Sequence, residues 1–181
     1  MKNKLLFFLT ILFVSSKLAA ENFSIEAKNI TLNKNTQISI FEREVIVKTQ
    51  EDYIIKSDYA EYNKVDGIIV FKNNIYASDD KNNILESNYA KYNEKNKILE
   101  TVGPTKVSTS EKYVIEGDDF LVDNVERFIK SEKKSILTDK DNNRIFLDNF
   151  EYIAKNNIFK SIGFIKIEDV NNNVYEFSQI Y

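Results

Sequence analysis

The chain has 181 residues, with 25 basic and 28 acidic side chains, a net charge of −3, four glycines, one proline and neither histidine nor cysteine. Without those two residue types there is no Ser-His-Asp or Cys-His arrangement, no disulfide, and neither of the best ligands for a transition metal. The acidic balance also lacks the basic face that nucleic-acid phosphates require, so composition points to a binding or structural domain held by packing alone.

Residues 1–20 read as a secretory signal. Lys2 and Lys4 open it, Leu5 to Val14 is apolar apart from Thr10, and Leu18-Ala19-Ala20 supplies small residues for cleavage. The apolar run falls short of the roughly 20 residues that span a bilayer, so a cleaved signal and not a retained anchor is expected. Residues 21–181 then form one domain of 161 residues with a net charge of −6.

From Ile25 onward the chain keeps a thirty-residue register. Its heads are Ile25-Glu26-Ala27-Lys28-Asn29-Ile30, Ile55-Lys56-Ser57-Asp58-Tyr59-Ala60, Leu85-Glu86-Ser87-Asn88-Tyr89-Ala90, Ile115-Glu116-Gly117-Asp118-Asp119-Phe120, Ile145-Phe146-Leu147-Asp148-Asn149-Phe150 and Tyr175-Glu176-Phe177-Ser178-Gln179-Ile180. A fixed period in this range marks a stack in which each unit buries its apolar face on the next. Within a unit the apolar stretches alternate with period two, as in Gln37 to Lys48 with Ile38, Ile40, Val45 and Val47, and they are rich in Val, Ile, Tyr, Phe and Thr. Both features predict strands.

Polar turns separate them in two series, one at Asn33 to Asn35, Asn63 to Gly67, Asn93 to Asn96 and Asp123-Asn124, the other at Asp79 to Asn83, Asp139 to Asn143 and Asp169 to Asn173. With so few glycines, Asn and Asp must supply the left-handed turn conformations. Pro104 marks a strand end, bulge or edge. Two strands per unit predict an all-β fold of about ten to eleven antiparallel strands in a folded-over sheet or jelly-roll stack; short connections favour this form over a parallel β-helix, which periodicity alone leaves open beside a closed barrel.

Few side chains suggest chemistry. Asp79-Asp80, Asp118-Asp119 and the Asp139-to-Asn143 cluster are candidate acid pairs or calcium ligands, but the last lacks the central glycine of a calcium loop, and adjacent acids on a strand point to opposite faces. Solvated turn residues account for them, and neither metal, cofactor nor enzymatic activity is expected. Tyr59 with Tyr89, Tyr62 with Tyr92 and Phe120 with Phe150 match by register, as core filling or as the walls of an apolar trough.

The heads Ile55 to Asn63 and Leu85 to Asn93, each followed by a strand and a turn, resemble the repeat of the OstA-like lipopolysaccharide-transport family, which comprises LptA, LptC and the periplasmic N-terminal domain of LptD. Phe23 to Ile30 directly after a signal looks like the start of LptA or LptD. Where the family often carries a glycine-valine pair this chain has Arg43-Glu44-Val45 and Asn73-Asn74-Ile75, while Gly103 and Gly163 are retained. The resemblance implies a V-shaped β-jelly roll in the periplasm whose inner face cradles the acyl chains of lipopolysaccharide, and whose open edges pair with like domains. The end at Tyr181, inside a sixth head, looks most like an N-terminal portion of LptD preceding an outer-membrane barrel, with a complete LptA-like bridge protein or a β-repeat interaction module without lipid as alternatives. Strand pattern and heads together give trough candidates Ile25, Ala27, Ile38, Ile40, Val45, Ile55, Ser57, Ile69, Phe71, Ile75, Leu85, Ser87, Ile98, Val102, Ile115 and Gly117.

Overall fold

The structure is a computed structural model that describes residues 23–181 apart from 51 and 157; the signal segment lies outside the described residues. Its elements are β1 (Phe23–Glu26), β2 (Asn29–Asn33), β3 (Ile38–Thr49), β4 (Ile54–Asn63), β5 (Ile68–Ser78), β6 (Ile84–Asn93), β7 (Ile98–Thr101), β8 (Pro104–Ser108), β9 (Val114–Asp118), β10 (Leu121–Asp123), β11 (Phe128–Ser131), β12 (Ser135–Thr138), β13 (Arg144–Leu147), β14 (Phe150–Ile153), β15 (Ile158–Glu168) and β16 (Val174–Ile180). No helix occurs among the described residues. The sixteen segments make eleven runs, because β1 with β2, β7 with β8, β9 with β10, β11 with β12 and β13 with β14 are each one run interrupted midway. All pair antiparallel in one sheet, the jelly-roll-like stack that the two-strand repeat predicts.

The turns recur where the asparagine clusters stand, but Asn and Asp supply only part of the left-handed conformations. Asn33, Asn63, Asn93 and Asp123 instead accept from the backbone N–H groups two and three residues on, and Gln, Lys and Arg take the left-handed places beside Gly67. Left-handed φ angles fall at Asp52, Asn82, Lys112, Asn142 and Asn172 in one row of turns and at Gln37, Gly67, Lys97 and Arg127 in the other, each thirty residues from the last. Successive turns are tied to one another: Lys64 N–H donates to the Gln37 carbonyl, Glu94 to Gly67, Asn124 to Lys97 and Ala154 to Arg127. Across the opposite row, Asn83 and Asn143 accept from the backbone of Ser110 and Val170, one turn further on.

Midway along the runs the sheet folds over on itself. β3, β4 and β5 pass through the fold with register shifts, between Glu42 and Val45, Lys56 and Tyr59, and Lys72 and Ile75. Further along, the ladders part: β6 pairs with β7 through Ala90 to Asn93 and with β8 through Ile84 to Ser87, and β15 rejoins the two halves by pairing with both β14 and β13. One contact shows how far the sheet folds. Phe23 lies opposite Thr49, at the Tyr53 end of β4, and a straight strand would carry Tyr62 roughly 30 Å away. Their rings are instead 5.1 Å apart, edge to face, so the two half-sheets face each other and enclose one side of the sheet.

At the fold, backbone conformation matters more than space. Gly103 has φ +77°, and a Cβ placed on it would meet nothing within 4 Å, while the equivalent positions one and two units earlier, Asn73 and Arg43, hold φ 63° and 65° with side chains present. Gly103→Asn is therefore expected to be nearly neutral, whereas Gly103→Val should lower stability by about 1–2 kcal/mol through left-handed strain alone, read by urea unfolding.

Candidate functional site

The enclosed face is built by cross-strand partners that share a side of the sheet. One row runs Ile25, Val47, Ile55, Ala77, Leu85, Val107, Ile115, Leu137, Ile145 and Ile167, ending at Tyr175. A row in the opposite half runs Ser39, Tyr62, Ile69, Tyr92, Leu99, Val122, Ile129, Tyr152 and Phe159. Between them, next to the fold, lie Phe41, Ala60, Phe71, Ala90, Phe120, Phe150 and Ile165, each at most 8% exposed. This apolar face is continuous from the first run to the last.

It is also filled. Val47, Ala60, Ile69, Phe71 and Ile165 have no exposed surface, and Phe120 packs edge-on against Phe150, which stacks on Phe159. At the two ends of the stack the same face comes into the open: Ile30 and Leu32, partners of Phe41 and Ser39, are 52% and 65% exposed, and Tyr175 and Phe177, partners of Ile167 and Ile165, are each 48% exposed.

Twelve of the sequence-predicted trough residues lie on this face: Ile25, Ala27, Val45, Ile55, Ser57, Ile69, Phe71, Ile75, Leu85, Ser87, Ile115 and Gly117. The other four do not. Ser39 pairs with inward Tyr62, which puts Ile38 and Ile40 on the outer surface; Ile98 flanks inward Leu99 and pairs with Asn93 and Asp123; Val102 stands 60% exposed at the fold. The alternation had grouped even-numbered Ile38 and Ile40 with odd-numbered Val45 and Val47. β3 keeps its parity through the fold, so Phe41 turns inward instead.

Parity changes on the paired strands, and that change hid further inward residues. In β4, Ile55 and Ser57 face in and so do Ala60 and Tyr62, an odd step produced at Asp58-Tyr59; β6 repeats it with Leu85, Ser87, Ala90 and Tyr92. The recurrence of Ala and Tyr at matching heads is the sequence signal for it. Of the matched aromatic pairs, Phe120 and Phe150 touch, Tyr62 and Tyr92 lie on one inward row, and Tyr59 and Tyr89 sit outside on either side of Lys72, whose ammonium lies 5.0 Å from the Tyr59 ring.

Where the strands fold, buried hydroxyls meet the backbone groups that the ladders no longer pair. Ser57 and Ser87 donate to the carbonyls of Tyr59 and Tyr89, Ser131 to Asp118 and Ser161 to Asn149. Thr101 Oγ1 accepts from Phe120 N–H at 2.9 Å and from Thr105 Oγ1 at 2.7 Å. No buried side-chain polar atom among the described residues lacks a partner. Gly117 has a different reason: a Cβ there would fall 2.4 Å from Ser135 Oγ and 3.0 Å from the Phe120 ring.

The acidic clusters are turn caps. Asp79, Asp139 and Asp169 each accept from the Asn four residues on and from intervening backbone N–H groups. Partial burial pushes Asp139 up, but hydrogen bonds from Asn143 and the Asp141 N–H outweigh it and hold its carboxyl below the usual range; Asp169 is held low chiefly by the Asn173 side chain. No group of three or more acids among the described residues is placed to hold a metal ion. Two clefts mark the outer side of the fold, about 460 Å³ beside Asn74, Tyr76, Glu86, Lys106 and Glu116 and about 200 Å³ beside Lys130, Glu132, Glu151 and Lys160, both lined by charges of mixed sign.

Fold and site thus define a class: an all-β antiparallel stack whose distinguishing feature is one continuous enclosed apolar face. Compared with known proteins, the chain matches no family model and no curated protein.

Two outcomes are expected. Thr101→Val should leave the buried Phe120 N–H without its acceptor and cost about 1–3 kcal/mol in chemical unfolding, while Thr101→Ser should cost less because the hydroxyl is kept. The lowered Asp139 and Asp169 values contribute stability that is complete above the ordinary aspartate pKa of about 4 and is lost as pH falls through the lowered values; Asn143→Ala with Asn173→Ala should flatten that acid limb of a melting-temperature profile.

Proposed function

We propose that this chain is an exported lipopolysaccharide-conducting domain of the OstA-like kind, which takes up the acyl chains of its ligand along the enclosed face and passes them toward the outer membrane. The observation that carries this reading is that the apolar face runs unbroken through eleven runs and emerges at both ends, at Ile30 and Leu32 and at Tyr175 and Phe177. An amphiphile crossing water needs such a continuous apolar path, and no covalent chemistry. The stack also ends in strands with one unoccupied side: among the described residues β16 pairs only with β15, and β1 and β2 only with β3. Unpaired strand edges are docking surfaces for further strands, so like domains joined edge to edge would extend the path. Which member of such a system the chain represents, the front of a barrel protein as in LptD or a separate bridge as in LptA, is part of the proposal and rests on the sequence resemblance.

The near-complete burial of the central side chains favours a second reading, a β-repeat scaffold with a filled interior that binds protein partners and no lipid. Site-specific photo-crosslinking separates the two. A crosslinker at Ile69 or Phe71 should label lipid A, whereas one at Ile40 or Ile98, on the opposite face, should not; equal labelling on both faces, or none on either, overturns the conduit.

A further inference from the structure

The filled interior raises the question of where a ligand would enter, and the register of the repeat answers it. Along the mouth of the fold, opposite the crease, Phe23 of one half-sheet meets Tyr62 of the other with ring centroids 5.1 Å apart at an interplanar angle of 89°. Ninety residues further on, the equivalent positions are Tyr113 and Tyr152. The Tyr152 hydroxyl is raised above its ordinary pKa first by burial and then by the Glu111 carboxylate and Tyr113, which places those two side chains of the opposite half within electrostatic reach of it. Tyr53 and Tyr92 occupy the same pair of positions in the second unit, and the third unit carries Asn83 and Val122 instead. Aromatic residues therefore stand at both members of the pair in three of four units and at neither in the other.

We infer that the pairs Phe23–Tyr62, Tyr53–Tyr92 and Tyr113–Tyr152 form a latch that closes the mouth of the folded sheet and that parts to admit an acyl-chain ligand sideways. This rests on the conduit reading. The physical argument is geometrical. A multi-acyl amphiphile with a large polar head cannot thread end-on through an interior whose central side chains have no exposed surface, since the head would have to pass where only apolar atoms fit. If the halves part along the mouth, the chains enter and the head stays in water. The Phe23 and Tyr62 rings meet edge to face, an arrangement whose attraction adds only modestly to the area it buries, which suits a contact that must be both closed at rest and separable. The Asn83–Val122 unit, with no aromatic pair, is where parting would begin.

The absence of cysteine from the chain makes the test direct. Phe23→Cys with Tyr62→Cys, and independently Tyr113→Cys with Tyr152→Cys, are joined by a short bis-maleimide whose spacer carries a disulfide, and lipid A binding is measured before linking, after linking and after reduction of the spacer. Linking should weaken binding at least tenfold and reduction should restore it. Undiminished binding by the linked protein in both pairs overturns the latch while leaving the conduit intact. If the unlinked variants and the unaltered protein all fail to bind lipid A, the conduit reading falls and the latch falls with it. The two pairs are tested separately because either substitution alone could disturb folding; formation of the link itself reports that the halves still meet.

Discussion

The structure depends on a strand being able to cross a crease without leaving bare peptide groups inside an apolar interior. An unpaired backbone N–H or carbonyl buried there costs on the order of 1–3 kcal/mol, and the crease runs the full length of the stack, so the cost would recur in every unit. The chain meets it in two ways. Strands β3 to β6 stay continuous and their ladders shift register, with left-handed residues at Arg43, Glu44, Asn73 and Asn74 taking up the bend. Between β7 and β14 the strands break, and there and where β15 crosses the crease Thr101, Ser131 and Ser161 supply the missing donors and acceptors from their side chains, with Asn149 bonding both the N–H and the carbonyl of Ile162 as a neighbouring strand would. The buried hydroxyls are thus part of the backbone's hydrogen bonding and not polar intruders in a core.

Once the crease is provided for, the remainder of the architecture is additive. Each unit presents the same two inward rows, and each turn bonds to the next at thirty-residue offsets, so stability accumulates from neighbour contacts in the manner of repeat proteins. An enclosed apolar face of this kind has no natural end, and its rows reach the last strands with inward side chains still exposed. The same regularity that makes the stack stable therefore makes its apolar face continuous, which is the property that transport of an amphiphile would use.

Much of this was legible in the sequence because it follows from local rules. Period-two alternation gives strands, Asn and Asp at fixed spacing mark the turns, and the thirty-residue register gives ten to eleven runs, of which the structure has eleven. Of the candidate face, twelve of sixteen residues were placed on the correct side by heads that repeat. The failures at Ile38, Ile40 and Ile98 share one cause: which parity faces inward is decided by contacts across the crease, and a run of Ile, Phe and Val that is apolar on both faces carries no record of that choice. The parity switch at Asp58-Tyr59 is likewise a consequence of folding the sheet, and only the recurrence of Ala60 and Tyr62 as Ala90 and Tyr92 hints at it. That the matched aromatics fill the core was one of two readings the sequence offered, and it could not decide between them, since side-chain identity fixes volume but not the distance between half-sheets.

The position of the large rings shows how closely volume and backbone are coupled. In the row beside the crease, Phe41 and Phe71 sit on the second and fourth runs, opposite Ala60 and Ala90; further along, Phe120 and Phe150 sit on the seventh and ninth runs, opposite the small hydroxyls Thr101 and Ser131. Bulk thus moves from one set of strands to the other at the point where the strands change from bent to broken. The volumes are complementary: where Thr101 and Ser131 place small side chains beside the crease, the Phe120 and Phe150 rings of the neighbouring runs fill the interior at that level, and the Phe120 ring also takes the space a side chain on Gly117, in its own run, would need. The interior is consequently closed by a different set of strands in its two halves, and a parting of the half-sheets would separate differently composed surfaces on either side of the third unit, the one unit whose mouth carries no aromatic pair.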